Sequence, residues 1–203
     1  LFGYKIDPIQ PYLFSIDLTS GEKWKVDGKY ESVVTDGNLV YYREVDRGLV
    51  AFDPTLNEKW CVDFGGPSWS MASQAPLFWD DHIILNHTDR VLAFDKQTGA
   101  PRWAFSLSKA PGSIALHDRR VYCEDNRDIV ILDATTGEQL VRTPTGYPQE
   151  TRPGLSDEIG VYPCGELLYL VRRRDPQIRF FTLDGAACVQ TLDLSLTGYG
   201  ARP

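Results

Sequence analysis

The chain has 203 residues, 42% of them hydrophobic and 24% charged, a composition that excludes a disordered polypeptide. Its formal net charge of −7 argues against duplex nucleic acid or an anionic membrane as a general partner. No apolar run approaches the roughly 18 residues of a membrane span, so no membrane insertion is expected, and no signal peptide is visible.

In chain order, Phe2-Gly3-Tyr4 leads to the apolar run Leu13-Phe14-Ser15-Ile16, then Asp17, Gly21 and Trp24. Ser32-Val33-Val34, the turn Asp36-Gly37-Asn38 and Leu39-Val40-Tyr41-Tyr42 precede a second run, Leu49-Val50-Ala51-Phe52, then Asp53, Asn57 and Trp60. Ala75-Pro76-Leu77-Phe78 and Ile83-Ile84-Leu85 precede Val91-Leu92-Ala93-Phe94, then Asp95, Gly99 and Trp103. Ile114-Ala115-Leu116 and Val121-Tyr122-Cys123 precede Ile129-Val130-Ile131-Leu132, then Asp133 and Gly137, with Leu140 in the tryptophan position. A degraded fifth copy runs from Ile159 through Leu167–Leu170 and Ile178–Phe181 to Asp184-Gly185 and Val189.

Asp17, Asp53, Asp95 and Asp133 recur at a period near 40 residues, which indicates a solenoid or a propeller. The runs ahead of each Asp are continuously apolar, so both faces of those strands must be buried. Each Asp is expected to fold an Asx-type turn, and the residue four positions on (Gly21, Asn57, Gly99, Gly137) to tolerate positive φ. Trp24, Trp60 and Trp103 are expected to pack between blades. The expected fold is an all-β propeller of about five four-stranded blades near 1–27, 31–64, 74–107, 113–143 and 158–194. Nineteen strands are legible, because the first repeat lacks its innermost one. A tail at 195–203 could supply it and close a five-bladed ring; otherwise the chain is part of a larger ring.

The pattern of apolar run, Asp, Thr-Gly and Trp resembles the PQQ-type, quinoprotein-like propeller repeat. Asp95-Lys96-Gln97-Thr98-Gly99 with Trp103, and Asp133-Ala134-Thr135-Thr136-Gly137, are its best copies. The resemblance implies one of two activities. Some members are quinone-dependent dehydrogenases, which carry adjacent cysteines, a calcium site and a catalytic Asp; others are cofactor-free scaffolds, such as the lipoprotein of bacterial outer-membrane assembly. Cys61, Cys123, Cys164 and Cys188 are all isolated, so the chain is most similar to the scaffolds and no cofactor is expected. The cysteines read as reduced, largely buried thiols, which leans slightly towards the cytoplasm.

No catalytic or metal-binding set stands out. His82, His87 and His117 read as surface or turn residues, and Asp36, Asp80, Asp118 and Glu158 as turn formers more readily than as a glycosidase pair. Asn86-His87-Thr88 fits a glycosylation sequon. The candidate site is instead a loop face, where the strand-two to strand-three hairpins emerge beside the crossovers between blades. Its nominated residues are Trp69, Tyr147, Arg152, Arg172, Arg173 and Arg174, with Asp46, Asp89, Asp125 and Asp128 as contacts for a basic protein. The expected function is a non-enzymatic protein-binding scaffold or an immunity-type inhibitor. The alternative is a quinone-dependent dehydrogenase or glycan-active enzyme with its site at the ring centre.

Overall fold

A sheet that is apolar on both faces is stable only when another layer covers each face. The computed structural model describes the chain except residues 1, 6–11, 29, 45–46, 65–73, 149–158, 173–174 and 195–203, with the backbone alone at 2–5 and 30–31. The described residues hold nineteen strands in five antiparallel sheets and no α-helix.

The first sheet has three strands, β1 (Phe2–Lys5), β2 (Tyr12–Ile16) and β3 (Lys23–Asp27). The others have four, in simple meander order. They are β4 (Tyr30–Thr35) to β7 (Glu58–Val62), through β5 (Val40–Glu44) and β6 (Gly48–Phe52), and β8 (Leu77–Trp79) to β11 (Pro101–Ser106), through β9 (His82–His87) and β10 (Arg90–Asp95). Next come β12 (Ile114–His117) to β15 (Gln139–Pro144), through β13 (Arg120–Asp125) and β14 (Asp128–Asp133), and β16 (Ile159–Cys164) to β19 (Cys188–Asp193), through β17 (Leu167–Arg172) and β18 (Gln177–Thr182). The proposed closing tail lies outside the described residues.

The chain forms two compact units, residues 1–87 with 92–102, and residues 88–91 with 103–203. Within the first, Leu13, Trp24 and Val26 pack on Val33, Val40, Tyr42, Val50 and Phe52 of the next blade. Tyr41, Leu49, Ala51 and Trp60 of that blade pack on Ile83, Leu85, Leu92 and Phe94 of the third. Within the second, Tyr122, Ile129 and Ile131 pack on Ile159, Val161, Leu168, Leu170 and Phe181. Strands β6, β9 and β14 are accordingly buried on both faces, as the unbroken apolar runs of β6 and β14 require.

The Asp turns hold the outer hairpins. Asp95 Oδ1 accepts the N–H groups of Gln97 and Thr98 at 3.0 and 2.8 Å, and Asp133 Oδ1 those of Thr135 and Thr136 at 2.8 and 3.0 Å. Partial burial alone would raise the Asp95 pKa, but its bonds from Thr98 and Arg102 outweigh that and hold it at about 2. Asp17 and Asp53 accept equivalent bonds from Thr19 and Thr55. The second turn departs from expectation: the left-handed residue is Leu56 (φ 61°), not Asn57. This turn closes one residue earlier, with the Leu56 N–H on Asp53 O, and burial of the Leu56 side chain in the blade interface offsets the backbone strain.

Two tryptophans bind the next blade in one way. The Trp60 indole N–H donates to Lys96 O at 3.2 Å while its ring lies on Gly99. Trp103 donates to Ala134 O at 3.1 Å and lies on Gly137. A Cβ built on either glycine would sit 2.6–2.8 Å from ring carbons, so these positions need glycine for space as well as for their φ of 71–72°. Trp24 is half-buried against the second blade.

The terminal blades differ from the expectation of full burial. Strand β2 alternates between buried and half-buried, and every residue of β19 is exposed. In the last blade the stacked rings of Tyr162 and Tyr169 (5.1 Å), with Val171 and Leu192, form an apolar face that is half-buried to exposed. The repeat guarantees an apolar face on each blade but not a neighbour to bury it.

Replacing Gly137 by Ala should destabilise the fold by about 2–4 kcal/mol, the sum of left-handed strain and overpacking against Trp103. Gly21→Ala should cost only about 1 kcal/mol, the strain alone, because nothing lies within 4 Å of its Cβ position. Urea unfolding of the two variants measures the difference.

Candidate protein-binding face

The hairpins that were expected to present charge to a partner use much of it to hold the crossovers. Described residues show this most completely in the second unit. Beyond each outer strand the next N–H turns back onto its own blade's hairpin: Leu107 N donates to Asp89 O at 2.7 Å, Thr145 N to Arg127 O at 2.8 Å and Leu194 N to Pro176 O at 2.8 Å. The same bond in three successive blades brings hairpins and crossovers out on one side. The β13–β14 hairpin is a two-residue turn with positive φ at Asn126 (50°) and Arg127 (71°), the geometry that matches strand twist.

Asp125, nominated as a contact, is buried. Its Oδ1 accepts the Ser108 backbone N–H at 2.7 Å and the Ser108 hydroxyl, and its Oδ2 lies 2.8 Å from the Arg142 guanidinium. Burial would raise its pKa, but Ser108 and Arg142 hold it below the usual carboxylate value. Its neighbour Glu124 is fully buried with Lys109 Nζ 3.1 Å from Oε1, which also accepts the Arg127 N–H. Here burial prevails and pushes the pKa up, against the pull of the Arg127 N–H and the Lys109 charge. Two adjacent carboxyl groups, which as successive residues of β13 point to opposite faces of the sheet, are thus shifted in opposite directions: burial prevails at Glu124, the bonds from Ser108 and Arg142 at Asp125.

Tyr147 and Arg172 are likewise internal. Tyr147 is 4% exposed, and its hydroxyl lies 3.0 Å from both Leu170 O and Gln177 O. The Arg179 guanidinium stands 4.5 Å over its ring, and Arg172, 6% exposed, stands 5.7 Å from it. Arg172 also pairs with Asp175 at 3.6 Å. The expectation of exposed hot-spot residues therefore fails for Tyr147, Arg172 and Asp125, which join the crossovers to the next blade. A short aromatic crossover reads the same in sequence whether its ring turns inward or outward.

Asp89 is exposed and Asp128 half-exposed, the latter 3.3 Å from Arg142. With Asn126 and the exposed Arg90 they form the polar surface of this face among the described residues. Trp69, Arg152, Arg173, Arg174 and Asp46 lie outside the described residues.

Other groups also differ from their sequence reading. His82 and His87 are buried, not at the surface: His82 Nδ1 is 2.7 Å from Asp81 Oδ1, and His87 lies 3.4 Å from the buried Arg43 guanidinium, under the Phe64 ring. Asn86 is 1% exposed, so its sequon is inaccessible in the folded chain. Only Cys123 is buried, its thiol pushed up to about 12 by burial, while Cys61, Cys164 and Cys188 are exposed. No three His, Cys, Asp or Glu side chains among the described residues are grouped to hold a metal ion.

The repeat is that of a known family. A family model described as outer membrane protein assembly factor BamB matches residues 11–119 and 87–186. The chain belongs to this PQQ-type β-propeller repeat family. No curated protein matches it in sequence. Among solved structures, BamB from Moraxella catarrhalis is 15% identical, with a TM-score of 0.71 over 95% of this chain and 63% of that one. A europium-containing methanol dehydrogenase is 12% identical, with a TM-score of 0.71 over 95% of this chain and 49% of that one. The computationally designed Ika4 protein is 15% identical, with a TM-score of 0.56 over 76% of this chain and 91% of its own. The chain thus spans about 63% of the length of the BamB structure. The fold is the β-propeller, and it is common to an assembly factor and to dehydrogenases, so it does not by itself select an activity.

Asp125→Asn should destabilise the protein by about 1–3 kcal/mol at neutral pH by weakening its bonds to Ser108 and Arg142. Because the folded-state pKa of Asp125 is depressed, its contribution is present above the ordinary value near 3.8 and is lost as the pH falls through the folded value. Glu124 has the opposite sign: with its folded pKa raised above 4.5, ionisation lowers stability as the pH rises through that window, and Glu124→Gln should flatten this slope. Thermal midpoints of both variants between pH 3 and 8 check the two signs.

Proposed function

We propose that this chain is a non-enzymatic protein-binding scaffold that grips its partner with the hairpin and crossover face. The family match over most of the chain, to a model described as an assembly factor, carries this reading. The groups of that face support it: the exposed Asp89 and Asn126 and the half-exposed Asp128 stand on two-residue hairpins. Short hairpin loops have few residues to order and lose little entropy when they bind. With a net charge of −7, the partner is a protein with a basic patch, steered in at a rate that falls with salt. Trp69, Arg152, Arg173, Arg174 and Asp46 are the further contacts proposed on this face. An immunity-type inhibitor would use the same surface.

The dehydrogenase reading has the methanol dehydrogenase likeness in its favour. Titration with pyrroloquinoline quinone and calcium separates the two. The scaffold reading expects no saturable change in quinone absorbance and no substrate-dependent dye reduction; either signal would replace it. With a partner isolated by cross-linking in the native host, Asp89→Lys combined with Asp128→Lys should weaken binding at least tenfold, about 1.4 kcal/mol, at a temperature where the unfolding midpoint, lowered by loss of the Asp128–Arg142 pair, shows the variant still folded. Unchanged affinity would move the site off this face.

A further inference from the structure

The β13–β14 hairpin rests on a carboxyl group that solvent does not reach. Glu124 is 0% exposed. Its Oε1 accepts the Arg127 N–H and lies 3.1 Å from Lys109 Nζ, while Oε2, equally buried, has no hydrogen-bond partner among the described residues. Arg127 is the second residue of the turn, and its carbonyl accepts the Thr145 N–H at 2.8 Å. Lys109 belongs to the crossover 107–113, and its side chain is 35% exposed. One carboxyl group therefore joins the hairpin of Asn126 and Asp128 to the crossover that enters the blade, and through Arg127 to the one that leaves it.

The charged surroundings of Glu124 leave Lys109 as its counter-ion. As alternate residues of β13, Glu124 and Tyr122 share the face packed on Ile159, Val161, Leu168 and Leu170. On that blade Arg172 is paired with Asp175, and Arg179 is bonded to Thr145 O and stands over Tyr147. Opposite Glu124 on β14 is the apolar Ile129. Asp125 points the other way and is held by Ser108 and Arg142. Burial, with a smaller push from the Asp125 charge, raises the Glu124 pKa above 4.5, whereas Asp125 itself is held below 3.8. As the pH falls, Glu124 therefore takes up its proton before Asp125 does. The bare Oε2 accepts that proton without displacing the Arg127 N–H from Oε1, so what protonation removes is the charge that holds Lys109.

We propose that Glu124 is a proton-operated latch of the hairpin and crossover face. Ionised, it clamps the 107–113 crossover to the hairpin through Lys109. With a proton on Oε2 it keeps the hairpin bond and gives up the crossover. The face then carries one negative charge fewer, and the Lys109 ammonium is no longer neutralised by Glu124. A basic partner is held at neutral pH and loosened in mild acid, and by linkage its binding lowers the pH at which Glu124 is protonated. This regulation rests on the protein-binding reading of the face; the latch itself does not.

The test has two arms, both on the full chain. In the first, carbon-13 NMR follows the Glu124 carboxyl and the Lys109 side chain from pH 7.5 to 4. Both should move with one midpoint above 4.5, while the Ser108 amide, which reports Asp125, stays still through that midpoint. Glu124→Gln should abolish the Lys109 transition, and Lys109→Gln should raise the Glu124 midpoint. A Glu124 midpoint at or below 4.5, or a Lys109 transition that survives Glu124→Gln, overturns the latch. In the second arm a decalysine peptide, whose own charge is constant over this range, is titrated onto the chain by fluorescence anisotropy. Its affinity should fall at least threefold as the pH drops through the Glu124 midpoint. Glu124→Gln should bind weakly and without that step, and Asp89→Lys with Asp128→Lys should weaken binding at every pH. Affinity that depends on Asp89 and Asp128 but shows no step removed by Glu124→Gln overturns the regulation alone. Affinity indifferent to Asp89 and Asp128 overturns the binding-face reading, and the regulation with it.

Discussion

Everything in this fold follows from sheets whose two faces are both apolar. A strand such as Ile129–Leu132 has no polar side to turn to solvent, so each blade is stable only between neighbours. The meander supplies those neighbours in chain order, which keeps the connections short. The indole-on-glycine contact sets how closely they approach. It joins a large apolar ring, one hydrogen bond and a backbone that only glycine allows to come so near.

The same constraint explains the division of labour among the charged residues. Turn aspartates at the outer edge satisfy N–H groups of their own hairpins and have little left to offer a ligand. On the other side, Asp125, Glu124, Arg142 and Lys109 fasten a crossover to the blade that follows it. Asp89 is exposed and Asp128 half-exposed on two-residue hairpins, which is why the proposed face is built on them.

Proteins of different activity share these blades. BamB and a methanol dehydrogenase align with this chain equally well, at a TM-score of 0.71 each. The blade is a solution to packing, and any activity is added by residues that packing leaves free. The likeness therefore speaks to architecture, and the functional reading has to rest on the family match and on the surface groups of the hairpin face.

The repeat, the strand count and the positions of the Asp turns were legible in the amino-acid sequence, because each arises from contacts within about ten residues. An Asp that bonds the next two or three amides, or a glycine at positive φ, needs no distant partner to be recognised. Even there a one-residue shortening moved the left-handed position from Asn57 to Leu56, since a buried leucine can offset local strain only in the assembled core. Composition could not say which polar residues face inward. Tyr147, Arg172, Asp125 and His87 look like surface residues in sequence, and only the approach of a neighbouring blade or crossover buries them. Nor could it say that β2 alternates between buried and half-buried or that every residue of β19 is exposed, for burial depends on which sheets meet in space. Local hydrogen bonding wrote the repeat into the sequence; which polar side chains stay exposed came from tertiary packing alone.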